Sequence, residues 1–265
     1  MSSSTLNVAA PQISGAQRPA LRLQNVTKVF GEKNSTTKTV ALQDVNLEVK
    51  AGEFVTVVGA SGCGKSTLLN VVAGLEKPNA GTVEVDGQVA FMFQEATLFP
   101  WLTARRNIEL ALQLHGVPRA DRHDRAQELL ELVRLGNVAD KRPHELSGGM
   151  RQRVALARVM AQEASVVLMD EPLGALDAMT RDHMHDEIER IWDRHRFCVL
   201  FVTHNMREAV RLADRVVLMS SSPGRVKLDQ SISLQRPRRI DSAEVAELAS
   251  ELTEALREEV AAHVR

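Results

Sequence analysis

Eight residues, Gly59-Ala-Ser-Gly-Cys-Gly64-Lys65-Ser66, constrain this chain more than any others. They stand directly after the apolar run 54–58 (FVTVV) and directly before a stretch of helical spacing, 66–73. The pattern G-x-x-x-x-G-K-[ST] between a buried strand and a helix is a backbone cradle for phosphate. Its glycines let the backbone curl so that several N–H groups converge, and the helix N-terminus adds the positive end of its dipole. In such a loop Lys65 reaches β- and γ-phosphates, Ser66 ligates Mg²⁺ and Thr67 meets the α-phosphate. Gly59, Ser61, Gly62, Cys63 and Gly64 make the turn itself. Cys63 has two readings, a buried spacer or an oxidation-sensitive thiol beside the phosphates.

A second signal is Val166-Val-Leu-Met169-Asp170-Glu171, an apolar strand that ends in two adjacent carboxylates. Parallel α/β sheets bind ligands at that edge. Strand alternation points neighbouring side chains apart, so the two acids differ in role. Asp170 suits Mg²⁺, often through water, and Glu171 suits proton removal from an attacking water. A third signal is Leu146-Ser147-Gly148-Gly149-Met-Arg-Gln-Arg153. Ser147 and the glycines open a helix, which fits either a simple N-cap or an anion site.

The rest of the chain sets these motifs in an α/β frame. Residues 1–20, with Arg18 their only charge, read as a disordered leader. Residues 21–30 and 40–49 read as an antiparallel hairpin around a polar loop at 31–39. Short strands follow at 81–85 and 89–93, around Asp86-Gly87. From 103 to about 162 the period is helical, with Leu110, Leu112 and Leu114 in one segment and Leu129, Leu130, Leu132 and Val133 in another. Strands return at 166–169, 199–202 and 216–219, separated by helices at about 178–195 and 205–213. Alternating strands and helices imply a mainly parallel sheet covered on both faces. Val245, Leu248, Leu252, Leu256 and Val260 recur at spacings of 3, 4, 4 and 4, which predicts an amphipathic helix packed on the body with a solvated acidic face.

Composition narrows the partners. Thirty-three Lys and Arg against thirty-four Asp and Glu leave a net charge of −1, which argues against gripping nucleic acid through an overall field. No apolar run approaches the roughly 18–20 residues that span a bilayer, and no secretory signal is visible. Two cysteines, Cys63 and Cys198, make no disulfide framework and fit the reducing cytosol. With seven Phe, two Trp and no Tyr, any stacking role falls on few positions.

LSGGMRQR resembles the signature motif of ATP-binding cassette (ABC) ATPases. Gln94 in Phe91-Met-Phe-Gln94 resembles the Q-loop glutamine, Asp177 in Gly174-Ala-Leu-Asp177 the D-loop aspartate, and His204 in Phe201-Val-Thr-His204 the switch histidine. Phe30 resembles the aromatic that stacks on adenine, and is the only aromatic of its region. The motifs occur in the family's order, and the similarity runs from about 21 to 226. It implies a P-loop NTPase cassette of α/β class: a mainly parallel core sheet, an antiparallel β subdomain and a helical subdomain inserted at about 103–162. The cassette would span 21–235 and the C-terminal amphipathic helix 236–265.

The resemblance further implies an ATP hydrolase with Glu171, His204 and Gln94 catalytic, and Ser66, Gln94 and Asp170 around Mg²⁺. ATP would lie on the phosphate loop of one cassette and on Ser147, Gly148, Gly149 and Asp177 of a second, in a head-to-tail dimer. The run 95–103 (EATLFPWLT) would be core through Phe99 and Trp101, or would line the groove that receives a helix of a membrane permease. FQEATLFPW, the signature helix and MSSSPGRV at 219–226 look like the nitrate/sulfonate/taurine importer branch. That implies a peripheral ATPase on the cytoplasmic face of the membrane, served indirectly by a solute-binding protein and taking up a small anion. The other readings are another importer substrate, an export ATPase, and a non-transport ABC ATPase of DNA repair or translation. A single copy of each motif and balanced charge speak against the last.

Overall fold

The computed structural model describes residues 19–31, 38–221 and 223–263. The expected leader lies outside the described residues except for Pro19 and Ala20, as do residues 32–37 of the polar loop and Ser222. The strands are β1 (Leu21–Phe30), β2 (Thr39–Val49), β3 (Phe54–Gly59), β4 (Ala80–Val85), β5 (Val89–Met92), β6 (Val166–Asp170), β7 (Cys198–Val202), β8 (Arg215–Met219) and β9 (Val226–Ser231). The helices are α1 (Lys65–Val72), α2 (Ala104–Leu114), α3 (Arg122–Leu132), α4 (Gly148–Met160), α5 (Ala178–His195), α6 (Met206–Leu212) and α7 (Ala243–His263).

The core sheet runs β5-β6-β7-β3-β8-β9. Its first five strands are parallel, and β9 closes the far edge antiparallel to β8. All six residues of β3 are buried, because a central parallel strand is covered on both faces. Val55, Val57, Leu168 and Leu200 face α1 and the antiparallel sheet, while Phe54, Val167, Met169 and Phe201 face the helices of the other side. Each such side chain contributes about 1.5–3 kcal/mol on burial.

β1 and β2 form the expected hairpin, with Leu21 opposite Val49 and Phe30 opposite Thr39. β4 adds to the other edge of β1, giving the order β2-β1-β4. β4 and β5 flank a short turn yet belong to different sheets, since β5 pairs with β6. Gly87 makes this crossing possible: its φ is +96°, and a Cβ there would meet Ser165 Oγ at 2.2 Å. β9 was not expected as a strand. Its signal is the alternation V-K-L-D-Q-S, half-buried and exposed in turn.

Residues 103–162 hold α2, α3, two short 3₁₀ turns and α4, and no strand. Thr103 caps α2 by accepting from Arg106 N at 3.2 Å. α7 packs against α6. Val245, Ala249 and Leu252 are buried there, while Leu248 and Leu256 are partly covered. No helix among the described residues is long and apolar enough to cross a membrane.

Candidate functional site

Strand order assembles the site. β5, β6, β7 and β3 are consecutive neighbours, so their C-terminal ends share one edge. Gln94 follows β5, Asp170 and Glu171 end β6, His204 follows β7, and the phosphate loop follows β3. Sequence distances of more than 100 residues vanish at that edge.

The loop itself is built on two left-handed glycines, Gly62 at φ +78° and Gly64 at φ +97°. A Cβ on Gly64 would lie 2.6 Å from Ala41 O, so a side chain there has no room. Lys65 opens α1 and is nearly buried. Its Nζ donates to Gly59 O at 2.9 Å and Ala60 O at 3.0 Å. An ammonium carries three N–H bonds; the third faces only the weak sulfur acceptor of Cys63, which an anion would displace. Ser61, Gly62, Gly64, Lys65, Ser66 and Thr67 line a cleft of about 500 Å³. Cys63 does not line it. Its thiol is buried under the loop, 3.7 Å from Lys65 Nζ, as the spacer reading expects.

The cleft's opposite wall is Phe30, Thr39, Val40 and Ala41, with Glu171 and His204 at the end. Phe30 is 41% exposed, and Lys28 Nζ stands 4.9 Å from its ring centroid. The ring is thus backed by a cation on one side. Lys28 is held by Glu76 Oε2 at 2.6 Å and Lys77 O at 3.0 Å.

Asp170 is half-buried, and burial pushes its carboxyl above the usual range; a hydrogen bond from the Ser66 side chain pulls the other way. The nearby Glu171 charge raises it further and Lys65 lowers it. Two oxygens, Ser66 Oγ on the cleft wall and the Asp170 carboxylate behind it, therefore meet. Such a pair suits Mg²⁺, which takes one or two protein oxygens and completes its octahedron with water and substrate phosphate. Among the described residues no group of three or more His, Cys, Asp or Glu could hold a metal by itself.

Glu171 adopts φ +42°, a left-handed conformation worth about 1–3 kcal/mol of local strain in a non-glycine residue. Its N–H is anchored on Val202 O at 2.9 Å. The twist breaks strand alternation and turns the carboxylate to His204, whose Nδ1 lies 3.1 Å from Glu171 Oε2. A carboxylate only accepts, so His204 is protonated on Nδ1.

Gln94 borders a neighbouring groove of about 480 Å³, with Gly148, Arg151 and Gln152 across it. Gly174 joins this groove to the carboxylates: a Cβ there would lie 3.4 Å from both Gln94 Nε2 and Glu171 O. Ser147 caps α4, accepting from Met150 N at 3.2 Å, and stays exposed with Gly148. Gly149 is buried against Thr180 at the start of α5. Asp177 caps α5 by accepting from Thr180 N at 3.0 Å, and hydrogen bonds from Thr180 hold its carboxyl below the usual range. The signature residues and Asp177 are therefore apart from the phosphate cleft of their own chain.

Phe99 and Trp101 are exposed, Trp101 by 68%, with rings 5.5 Å apart. Their loop is pinned by fully buried Asn107, which accepts from Phe99 N at 2.8 Å and donates to Thr103 O at 3.0 Å. Two side chains of α4 not singled out from sequence hold the Q-loop backbone. Gln152 Nε2 donates to Gln94 O at 2.6 Å, and Arg158 Nη1 donates to Thr97 O at 2.9 Å. A buried Gln among Val154, Ala155 and Leu156 on one helix was the available signal.

Comparison with known proteins points to one family. The ABC transporter family matches residues 42–174. The nitrate import ATP-binding protein NrtD of Synechocystis is 45% identical over 222 residues, 81% of this chain and 83% of that protein. The aliphatic sulfonates import ATP-binding protein SsuB 1 of Mesorhizobium japonicum is 44% identical over 253 residues, 93% of this chain and 92% of that one. A dimeric ATP-binding cassette solved in a post-hydrolysis state with ADP and phosphate superposes with a TM-score of 0.71. It is 33% identical, covering 81% of this chain and all of that one.

Proposed function

The chain belongs to the ABC transporter family of ATP-binding proteins and is an ATPase, and from that premise we propose the division of labour in its site and its place in an importer. Two copies pair head to tail. ATP lies on the phosphate loop of one and meets Ser147, Gly148 and Gly149 of the other, with Asp177 at the contact. The observation that carries this is the separation just described. Ser147 and Gly148 are exposed on a helix N-terminus outside their own chain's phosphate cleft.

Within one cleft, Phe30 stacks on the adenine and the backbone of 59–64 cradles the phosphates. Lys65 turns the N–H that faces Cys63 Sγ to the β- and γ-phosphates, and Thr67 meets the α-phosphate. Ser66, Asp170 and Gln94 would hold Mg²⁺, which when bound neutralises charge on the β- and γ-oxygens. Glu171 takes a proton from the water that attacks the γ-phosphorus. His204 holds that carboxylate in place through its Nδ1–H. ATP cements the pair and hydrolysis loosens it, a two-state switch driven by one anion.

The pair docks on integral membrane permease subunits at the cytoplasmic face. Exposed Phe99 and Trp101 beside the Q-loop support that contact. A solute-binding protein and a small anion such as an aliphatic sulfonate, taurine or nitrate complete the importer, a reading supported by the names of the relatives. The cassette spans 21–235, and α7 (Ala243–His263) is an added helix beyond it.

Glu171→Gln tests the core of this reading. With MgATP the variant elutes from gel filtration as a stable dimer, while its turnover falls by about 10²–10⁴-fold. A monomer under those conditions would refute the head-to-tail assignment. Co-purification of the tagged chain from native membranes tests the transporter reading, and recovery without a multi-span permease counts against it.

A further inference from the structure

Behind the cleft wall a line of polar side chains runs from α5 to His204. His185 is fully buried, and Glu208 and Arg211 are buried beside it. His185 Nε2 lies 2.7 Å from Glu208 Oε1, and its Nδ1 lies 3.3 Å from Arg211 Nη1. A guanidinium only donates, so Nδ1 accepts and the ring proton sits on Nε2, facing Glu208. Asp182 Oδ1 stands farther off, 3.6 Å from Nδ1, and Asp186 holds the other end of Arg211.

The second oxygen of Glu208 accepts the Thr203 hydroxyl. Thr203 Oγ1 also accepts from Asn205 N at 3.0 Å. Asn205 Oδ1 then caps α6, accepting from Arg207 N at 3.1 Å and Glu208 N at 3.3 Å. Thr203 and Asn205 flank His204, whose own side chain is 68% exposed and hydrogen-bonded to Glu171. The Thr203 hydroxyl thus links one buried carboxylate to the backbone N–H of Asn205, across the exposed histidine. Burying that carboxylate and imidazole carries a desolvation cost that apolar side chains of equal volume would not.

We propose that Thr203, Glu208 and His185 are positioning residues for His204: they set the loop so that its imidazole meets Glu171. None of the three touches the phosphate loop. The proposal rests on Glu171 and His204 forming the catalytic pair. Because Asp177 caps α5, the helix that carries His185 runs from the proposed partner contact to this line.

The test is steady-state ATPase activity of the purified full chain with MgATP, in wild-type and His204→Ala backgrounds. Thr203→Val and Glu208→Gln each lower kcat by about tenfold or more in the wild-type background, with KM for ATP within about twofold. In the His204→Ala background they cause no further loss, because they act through the residue already removed. Thr203→Ser restores the rate by restoring the hydroxyl. Equal losses in both backgrounds would reveal a general structural role and overturn the proposal. So would an unchanged kcat for Thr203→Val when His204→Ala is impaired. An unimpaired His204→Ala would remove the catalytic-pair reading and the proposal together. If melting curves show that Thr203→Val does not fold, the His185 pair decides. His185→Gln, which keeps a donor toward Glu208, retains activity that His185→Leu loses, and equal rates for these two overturn the proposal.

Discussion

Asp170 is a carboxylate whose burial costs stability at neutral pH. Burial raises its pKa above the ordinary 3.8, so folding favours the protonated form. The sign of the linkage follows. Stability from this group is full below pH 3.8 and is lost as pH rises through the raised value in the fold. Asp170→Asn, neutral at every pH, therefore raises the melting temperature of the nucleotide-free chain at pH 7 relative to pH 4, compared with wild type, while ATP turnover is lost. Thermal melts at the two pH values, paired with an ATPase assay, check both halves. Phe30 makes a second residue-scale prediction. Losing one base-stacking partner costs about 1–3 kcal/mol, so Phe30→Ala weakens ATP binding roughly five- to hundredfold by titration calorimetry. Asp170 stands out in the sequence as the carboxylate that ends an apolar strand, and Phe30 as the only aromatic of its region. The left-handed twist of Glu171 was not legible there, since β6 alone reads as regular strand and the turn is held by hydrogen bonds of the folded chain, from Glu171 N to Val202 O and from Gly174 N to Glu171 O.

At the scale of elements, α4 and α5 meet where the signature glycine has no side chain. A Cβ on Gly149 would lie 2.3 Å from Thr180 Cγ2. Gly149→Ala should destabilise the chain by about 1–3 kcal/mol in urea titrations. Thr180→Ser, which deletes that methyl, should recover much of the loss. The same helix carries Gln152 and Arg158 onto the Q-loop, so signature and Q-loop are tied by hydrogen bonds within one chain. Most elements were legible from period and punctuation, including the β1–β2 hairpin and the strand before the phosphate loop. The destinations of β4 and β5 were not. Two short strands around Asp86-Gly87 look like a hairpin until β1 and β6 offer each a better edge. β9 was missed because six alternating residues after a motif carry little weight without the partner strand β8.

Over the whole molecule, the C-terminal helix joins the large core on one face of the sheet. Leu252→Ala removes a buried side chain from the α7 face and should cost about 2–5 kcal/mol by chemical denaturation. The KM for ATP should stay unchanged, because α7 packs on α6 and contributes nothing to the cleft. The apolar face read from the 3-4-4-4 spacing of that helix is seen over Val245, Leu248, Leu252 and Leu256, while the Val260 side chain lies outside the described residues; amphipathicity is a local property. The phosphate cradle was equally local: glycines, a lysine and a hydroxyl at set intervals specify an anion site wherever a strand meets a helix. The family motifs likewise carried the reaction class and a mainly parallel sheet. Adjacency was another matter. Which loops share an edge depends on the order β5-β6-β7-β3, and strand order follows from how both faces of the sheet are buried. Folding alone brought Glu171 to His204 and linked His185, Glu208 and Thr203 in one line. It also left Ser147 facing outward, because a helix N-terminus that packs through Gly149 on α5 is turned away from its own chain's phosphate loop.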